Sequence, residues 1–361
     1  MAAVLACAQN PEPPASGGAS IGRAAAPVFY DVGVRPRAIA VADFNGDEYV
    51  DVAVANGGDG TVTLLFGDGA GRLGALTSFA AGAEPVDVDA VDLDRDGAVD
   101  LVMANHETPR VTVLLNDGLG LFAPAPGSPF DTGARPHIHS VTAGDFDGDG
   151  WTDVAVESAD TDEVRILRGG PEGLTPAISV PVGTMPYYHL GVGQMTEQGL
   201  PHLLIPGHGD RTVRVIESVG GRMSLAPERI HLAGQPWKVV GGDVSGDGRD
   251  DIVVVETDAV SIWLADGRGF VQAPGSPFSI RGASETAIGD LDGDGTAEVV
   301  VGPWDGDEVT VLRGGAAARS VRMCERPIGL AIADLDGDGR GELMATCTHT
   351  NQLAVLTVQP R

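Results

Sequence analysis

A nine-residue acidic segment, Asp145-Phe-Asp147-Gly-Asp149-Gly150-Trp-Thr-Asp153, recurs along the chain at a nearly fixed interval. The copies begin at Asp43, Asp92, Asp145, Gln194, Asp243, Asp290 and Asp334, so the steps are 49, 53, 49, 49, 47 and 44 residues. A period of this length marks a repeat architecture, in which each repeat is one supersecondary unit. Around each copy the order of parts is constant. A Pro-led run of small apolar residues precedes it (Ala38-Ile-Ala-Val-Ala42) and an alternating run follows (Asp51-Val-Ala-Val-Ala55). A third apolar run (Thr61-Val-Thr-Leu-Leu-Phe66), a Gly-Asp-Gly turn and a weaker fourth run complete the unit. Period-2 runs bounded by turn residues are strands. Four strands per unit and seven units predict an all-β fold, a seven-bladed β-propeller of four-stranded antiparallel blades. Small residues in the first strand fit the narrow axis where blades converge.

Two further features extend the prediction. The hexapeptide Ala-Pro-Gly-Ser-Pro-Phe occurs at 125–130 and again at 273–278, where it is expected in the outermost strand, whose free edge tolerates Pro. The last unit stops at its third strand, Leu353–Val358, while Pro27–Val32 stands before the first unit without a partner. Pairing the two closes the ring with strands from both ends and removes an exposed edge. Residues 27–361 are therefore expected to form one propeller, with 1–26 outside it.

The repeated segment carries oxygen ligands at positions 1, 3, 5 and 9, a pattern that starts like the calcium loop of EF-hands. It lacks the closing Glu at position 12 and runs into a strand rather than a helix. The expected Ca²⁺ ligands are Asp43, Asn45, Asp47 and Asp51 in the first loop and Asp92, Asp94, Asp96 and Asp100 in the second. Asp145, Asp147, Asp149 and Asp153 serve the third, and Asp243, Ser245, Asp247 and Asp251 the fifth. Asp290, Asp292, Asp294 and Glu298 serve the sixth, and Asp334, Asp336, Asp338 and Glu342 the seventh. Asn45, Ser245 and the replacement of Gly by Glu48 are expected to weaken the first and fifth. The fourth, with Gln194, Thr196, Gln198 and His202, is expected to be empty. Six ions would lower the formal charge from −28 to −16. Such charge argues against nucleic acids and anionic membranes as partners.

With these residues the chain resembles FG-GAP or VCBS-type repeat proteins, which include integrin α-chain propellers and bacterial surface proteins. The resemblance covers about residues 27–358 and implies the propeller fold and calcium-stapled blades. Family members include adhesins, lectins and sugar-modifying enzymes, so it leaves the activity open.

Strand parity places the acidic loops on one face and the lead-ins to first strands on the other. Six of eight His fall on that second face (His106, His137, His139, His189, His208 and His349), with Trp304, Glu107 and Glu157. From Pro to the loop, the lead-ins of blades 3 and 4 are one or two residues longer than the rest. The candidate ligand-binding residues are His137, His139, Tyr187, Tyr188, His189, Trp237 and Glu285. Aromatic rings there suit sugar stacking, and His and Glu suit proton transfer; His137, His139 and His189 also have the chemistry for a transition metal.

The first expectation is an extracytoplasmic, calcium-binding adhesion module for carbohydrate or protein, monomeric and not an enzyme. The alternatives are a lyase- or dehydratase-type sugar enzyme acting at the channel mouth, and a purely structural surface protein. Val4-Leu5-Ala6-Cys7 resembles a lipobox and is followed by a Pro/Gly/Ala/Ser-rich tether, so membrane anchoring would run only through lipidated Cys7. No apolar run reaches the length of a transmembrane helix. Cys324 and Cys347 fall on neighbouring strands at the same face, either bonded or as two buried thiols; a bond would mark export.

Overall fold

The computed structural model describes residues 24–358, apart from 177, 196–198, 220, 221, 228, 268 and 315. The Cys7 segment and positions 196–198 of the fourth loop therefore lie outside the described residues.

Seven antiparallel sheets form the ring, and the only helical turn among the described residues is Ala159–Thr161. In blade 1 the strands run Pro36–Ala42, Asp51–Asn56, Thr61–Gly67 and Leu73–Ala80 from the axis outward. Blade 7 takes its inner strands from Pro327–Ala333, Glu342–Cys347 and Gln352–Leu356. Its outer strand is Val28–Asp31, paired Val28 to Val355 and Asp31 to Gln352. That pairing is consistent with the ring closure expected from the two unpartnered termini.

Packing explains why each strand has its composition. Second strands such as Asp51–Asn56 and Asp251–Glu256 are buried at every residue, because neighbouring blades cover both faces. Seven apolar clusters lie between successive blades, including one between blades 7 and 1 (Val52, Val54, Leu335, Met344, Leu353). Inner strands crowd at the axis: a Cβ at Gly191 would sit 2.4 Å from the Val239 carbonyl, and one at Gly329 2.5 Å from the Arg37 carbonyl. Any larger residue would push the inner strands apart.

The repeated hexapeptide differs from expectation. It does not form the outer strand but divides it, into Phe122–Pro124 and Phe130–Asp131 in blade 2, and Phe270–Gln272 and Phe278–Ser279 in blade 5. Two prolines in six residues cannot sustain ladder hydrogen bonding. The Ser side chains substitute, with Ser128 Oγ accepting from Val113 N at 2.9 Å and Ser276 Oγ from Ile262 N at 2.9 Å. Cys324 and Cys347 are joined by a disulfide, Cα to Cα 5.9 Å, tying the lead-in of the last blade to the end of its second strand.

Candidate functional site

The acidic loops share one frame. The leading Asp accepts the backbone N–H groups of the fourth and sixth positions most closely: Asp43 from Gly46 (2.7 Å) and Glu48 (2.8 Å), Asp334 from Gly337 (2.7 Å) and Gly339 (2.8 Å). Two positions must then be left-handed, the fourth and the sixth. Gly fills most of them; Arg95 (φ 66°) and Glu48 (φ 70°) take the strained conformation instead. The ninth-position acid is buried in all six acidic loops, Asp51, Asp100, Asp153, Asp251, Glu298 and Glu342. Asp100 bridges Leu93 N and Asn116 N, both at 2.9 Å, so it fastens the loop to the third strand. Burial pushes Asp100 and Asp153 up to about 6 and Glu298 to about 7, with nearby acids adding to the rise.

These carboxylates differ in what already neutralises them. Ligand atoms lie within 4.8 Å of one another in Asp92/Asp94/Asp96, Asp145/Asp147/Asp153, Asp290/Asp292/Asp294 and Asp334/Asp336/Glu342. Such a set of hard oxygen donors fits Ca²⁺. Among the described residues the first and fifth loops form no such cluster. In the sixth loop the guanidinium of Arg313 lies among the acids, paired with Asp292 and Asp294 and 3.3 Å from the otherwise unpartnered Oε1 of Glu298. Arg168 (3.4 Å from Asp147), Arg249 (on Asp247) and Arg340 (3.3 Å from Asp338) each touch one acid in the third, fifth and seventh. The second loop has no paired basic residue among the described residues; its Arg95 instead lies over the Trp151 ring at 5.0 Å.

On the opposite face the structure brings six of the seven candidate ligand residues into one cluster of rings. His139 is 4.8 Å from Tyr187 and stacks on Tyr188 at 5.2 Å; Tyr188 is 5.2 Å from His189 and 6.2 Å from Trp237. His106 links His137 (4.9 Å) with His139 (5.1 Å), and His208 lies 4.6 Å from Trp237. Glu285, the seventh candidate, stands inside the channel below, bonded to Lys238 Nζ at 2.8 Å. His349 and Trp304 lie apart from the cluster, beside Glu325 (3.4 Å) and under Arg326 (5.7 Å) respectively. His137, His139 and His189 do not converge as a metal trio; His106 instead faces Glu84 (3.9 Å) and Glu107 (3.7 Å).

The longer lead-ins build this cluster. Their extra residues shorten the first strands of blades 3 and 4 to Val141–Gly144 and Gly191–Gly193, against seven residues in blade 1. The freed segments carry His137 (φ 78°) and Tyr188 (φ 79°) in left-handed conformations, a cost of about 1–3 kcal/mol each that the surroundings must hold. Buried Glu157 holds the first, accepting from His139 N, Ser140 N (3.1 Å) and Ser140 Oγ (3.0 Å). The second runs parallel to blade 5, with His189 N donating to Trp237 O (3.1 Å) and Val239 N to His189 O (3.3 Å). That pairing sets Tyr188 beside Trp237.

Beneath the rings is a cavity of about 210 Å³ on the propeller axis, bounded by Arg37, Asp87, His139, Tyr188, Lys238 and Glu285 among others. Asp87 accepts from Val141 N (3.0 Å) and faces His189 Nδ1 at 3.4 Å. Asp89, one turn of the pleat deeper, accepts from Ala143 N (2.9 Å), and its desolvation pushes it up to about 6. Burial raises the Tyr188 phenol to about 12, with Glu285 adding to the rise, so it stays a donor. Arg37, Asp87 and Lys238 were not among the sequence candidates. A signal was present: Arg37 is the bulge residue directly after the strand-opening Pro36, and Asp87 and Lys238 stand one position further on in their own first strands, level with the candidate Glu285 of blade 6.

Ring, inner-strand crowding and acidic loops together define a seven-bladed β-propeller of the loop-repeat type. Three of its segments, residues 43–103, 92–156 and 243–301, match the FG-GAP-like repeat family. Solved propellers superpose over nearly the whole chain. BBS1N in complex with ARL6DN has TM-score 0.62 at 14% identity, covering 93% of this chain and 98% of that one. Virginiamycin B lyase from Staphylococcus aureus has TM-score 0.60 at 10% identity, covering 92% and 100%. An Agrocybe aegerita lectin specific for non-reducing terminal N-acetylglucosamine has TM-score 0.56 at 16% identity, covering 94% and 96%. At these identities the likeness is one of fold. No curated protein sequence matches the chain.

Proposed function

We propose that this propeller is an extracytoplasmic binding module that takes a carbohydrate at the channel mouth opposite the acidic loops. The observation that carries the reading is the continuous ring surface from His106 to Trp237 standing over a polar cavity. Flat, half-buried rings give sugar faces an apolar platform, and the charged floor fixes hydroxyl groups. A lectin among the superposing propellers recognises a sugar and BBS1N is in complex with a protein, so both ligand types occur on this shape. The small cavity favours the sugar. The Cys324–Cys347 bond supports an oxidising compartment. In this reading Ca²⁺ in the acidic loops staples blades together, and the second loop, free of a competing arginine, holds it best.

A glycan array probed with and without Ca²⁺ tests the proposal. Binding that disappears in Tyr188→Ala and Trp237→Ala, with unchanged melting temperature, supports it. An empty array, or binding that survives both changes, refutes it.

A further inference from the structure

The charges around the axial cavity are unevenly satisfied. Lys238 is consumed by Glu285 at 2.8 Å, and Asp87 by Val141 N and His189. Arg37 has no carboxylate partner among the described residues, although acids outnumber Lys and Arg by 51 to 23 in this chain. An Arg left unpaired in such a chain, at the wall of a cavity, is poised for an anion from outside. Across the same cavity stands the Tyr188 phenol, which makes no hydrogen bond among the described residues and remains protonated throughout the physiological range.

We propose that the channel-mouth site is specific for a sugar bearing a carboxylate, a uronic-acid-type residue, whose carboxylate pairs with Arg37 while its ring lies against Tyr188 and Trp237. The inference rests on the carbohydrate reading above and narrows it. A guanidinium presents two parallel N–H donors that match a carboxylate, so Arg here reads a planar acid rather than a generic negative charge. At about 210 Å³ the cavity lies below the roughly 300 Å³ at which ligand pockets usually begin, so it admits one ring rather than a chain. Net charge makes the same point. The overall −28 repels polyanions at long range, so a single terminal acidic residue is accepted where a polyuronate is not.

The test compares binding of D-glucuronate, D-glucose and L-glutamate to the intact protein by titration calorimetry, in wild type, Arg37→Met, Arg37→Lys and Tyr188→Ala. The expected result is glucuronate bound about tenfold or more tighter than glucose in wild type, from the charge-assisted pair. Arg37→Met should equalise the two sugars, and Arg37→Lys should keep part of the preference. Because the Arg37 guanidinium has no hydrogen bond or ion pair among the described residues, Arg37→Met should leave the melting temperature unchanged, which separates lost recognition from lost folding. Equal affinity for both sugars in wild type, lost in Tyr188→Ala, overturns the acid specificity and leaves the carbohydrate reading intact. Binding of neither sugar overturns both. Glutamate bound as tightly as glucuronate overturns the sugar assignment and points to an acidic peptide.

Discussion

Asp89→Asn tests whether the inner strands are held by carboxylates that suffer from being charged. Asp89 Oδ2 accepts from Ala143 N at 2.9 Å, joining the first strands of blades 2 and 3, and Oδ1 accepts from Ala90 N at 2.9 Å. Asn removes the charge and keeps one of the two acceptor oxygens, its NH2 taking the place of the other, so one of these bonds is lost at every pH. The folded value of about 6, against 3.8 for an ordinary Asp, is set by desolvation first and opposed by these hydrogen bonds. The folded state therefore binds the proton more tightly than the unfolded chain. Stability from this group is greatest below pH 3.8 and falls as pH rises through about 6. At 1.36 kcal/mol per pH unit the full difference is about 3 kcal/mol, and the partial exposure of Asp89 screens it to about 1–3 kcal/mol. An unfolding entropy of about 2.1 cal/mol/K per residue over the ring converts each kcal/mol to about 1.4 °C. Calorimetry across pH 4 to 8 should show the melting temperature of Asp89→Asn, relative to wild type, rising by about 1–4 °C between pH 4 and pH 8, on top of a constant offset from the lost hydrogen bond. Taking the variant minus wild type cancels the other raised acids. A difference that does not change with pH, or one that falls as pH rises, refutes the reasoning.

Two further outcomes follow from the same geometry. Arg313→Ala should make blade 6 depend on an external cation: in chelator the variant melts below wild type, and added Ca²⁺ restores more of its melting temperature than it adds to wild type. An equal Ca²⁺ response in both proteins would show that Arg313 does not occupy the place of an ion. Replacing Cys324 and Cys347 together by Ala opens a loop spanning 23 positions and should cost about 3 kcal/mol, about 4 °C, in a non-reducing scan; an unchanged melting temperature would contradict the bond.

Much of the architecture was legible because repeats state their own boundaries. Seven copies of one acidic segment at steps of 44 to 53 residues place each loop between the first and second strand of a blade. The face-sorting of histidines followed from counting strands, and the ring contacts of His106, His139 and His208 agree with it. The position of the hexapeptide in the repeat points to a strand, yet the N–H groups missing from its two prolines break the ladder there. Arg313 was invisible as a cation for the sixth loop, since it lies 15 residues beyond Glu298, across a hairpin.

By itself, then, the sequence determined the number of blades, the order of strands and the chemistry of the acidic loops. Each of these depends on residues close together in the chain, whose periodicity is local and repeats. Only the tertiary structure decided which side chains share the axis. Arg37, Asp87, Tyr188, Lys238 and Glu285 come from five different blades, spread over 248 positions, and meet because the first strands converge on one cavity. Whether each finds a partner there depends on bulges, strand length and which neighbour reaches it first. That is how Lys238 is spent on Glu285 and Arg37 is left facing the channel.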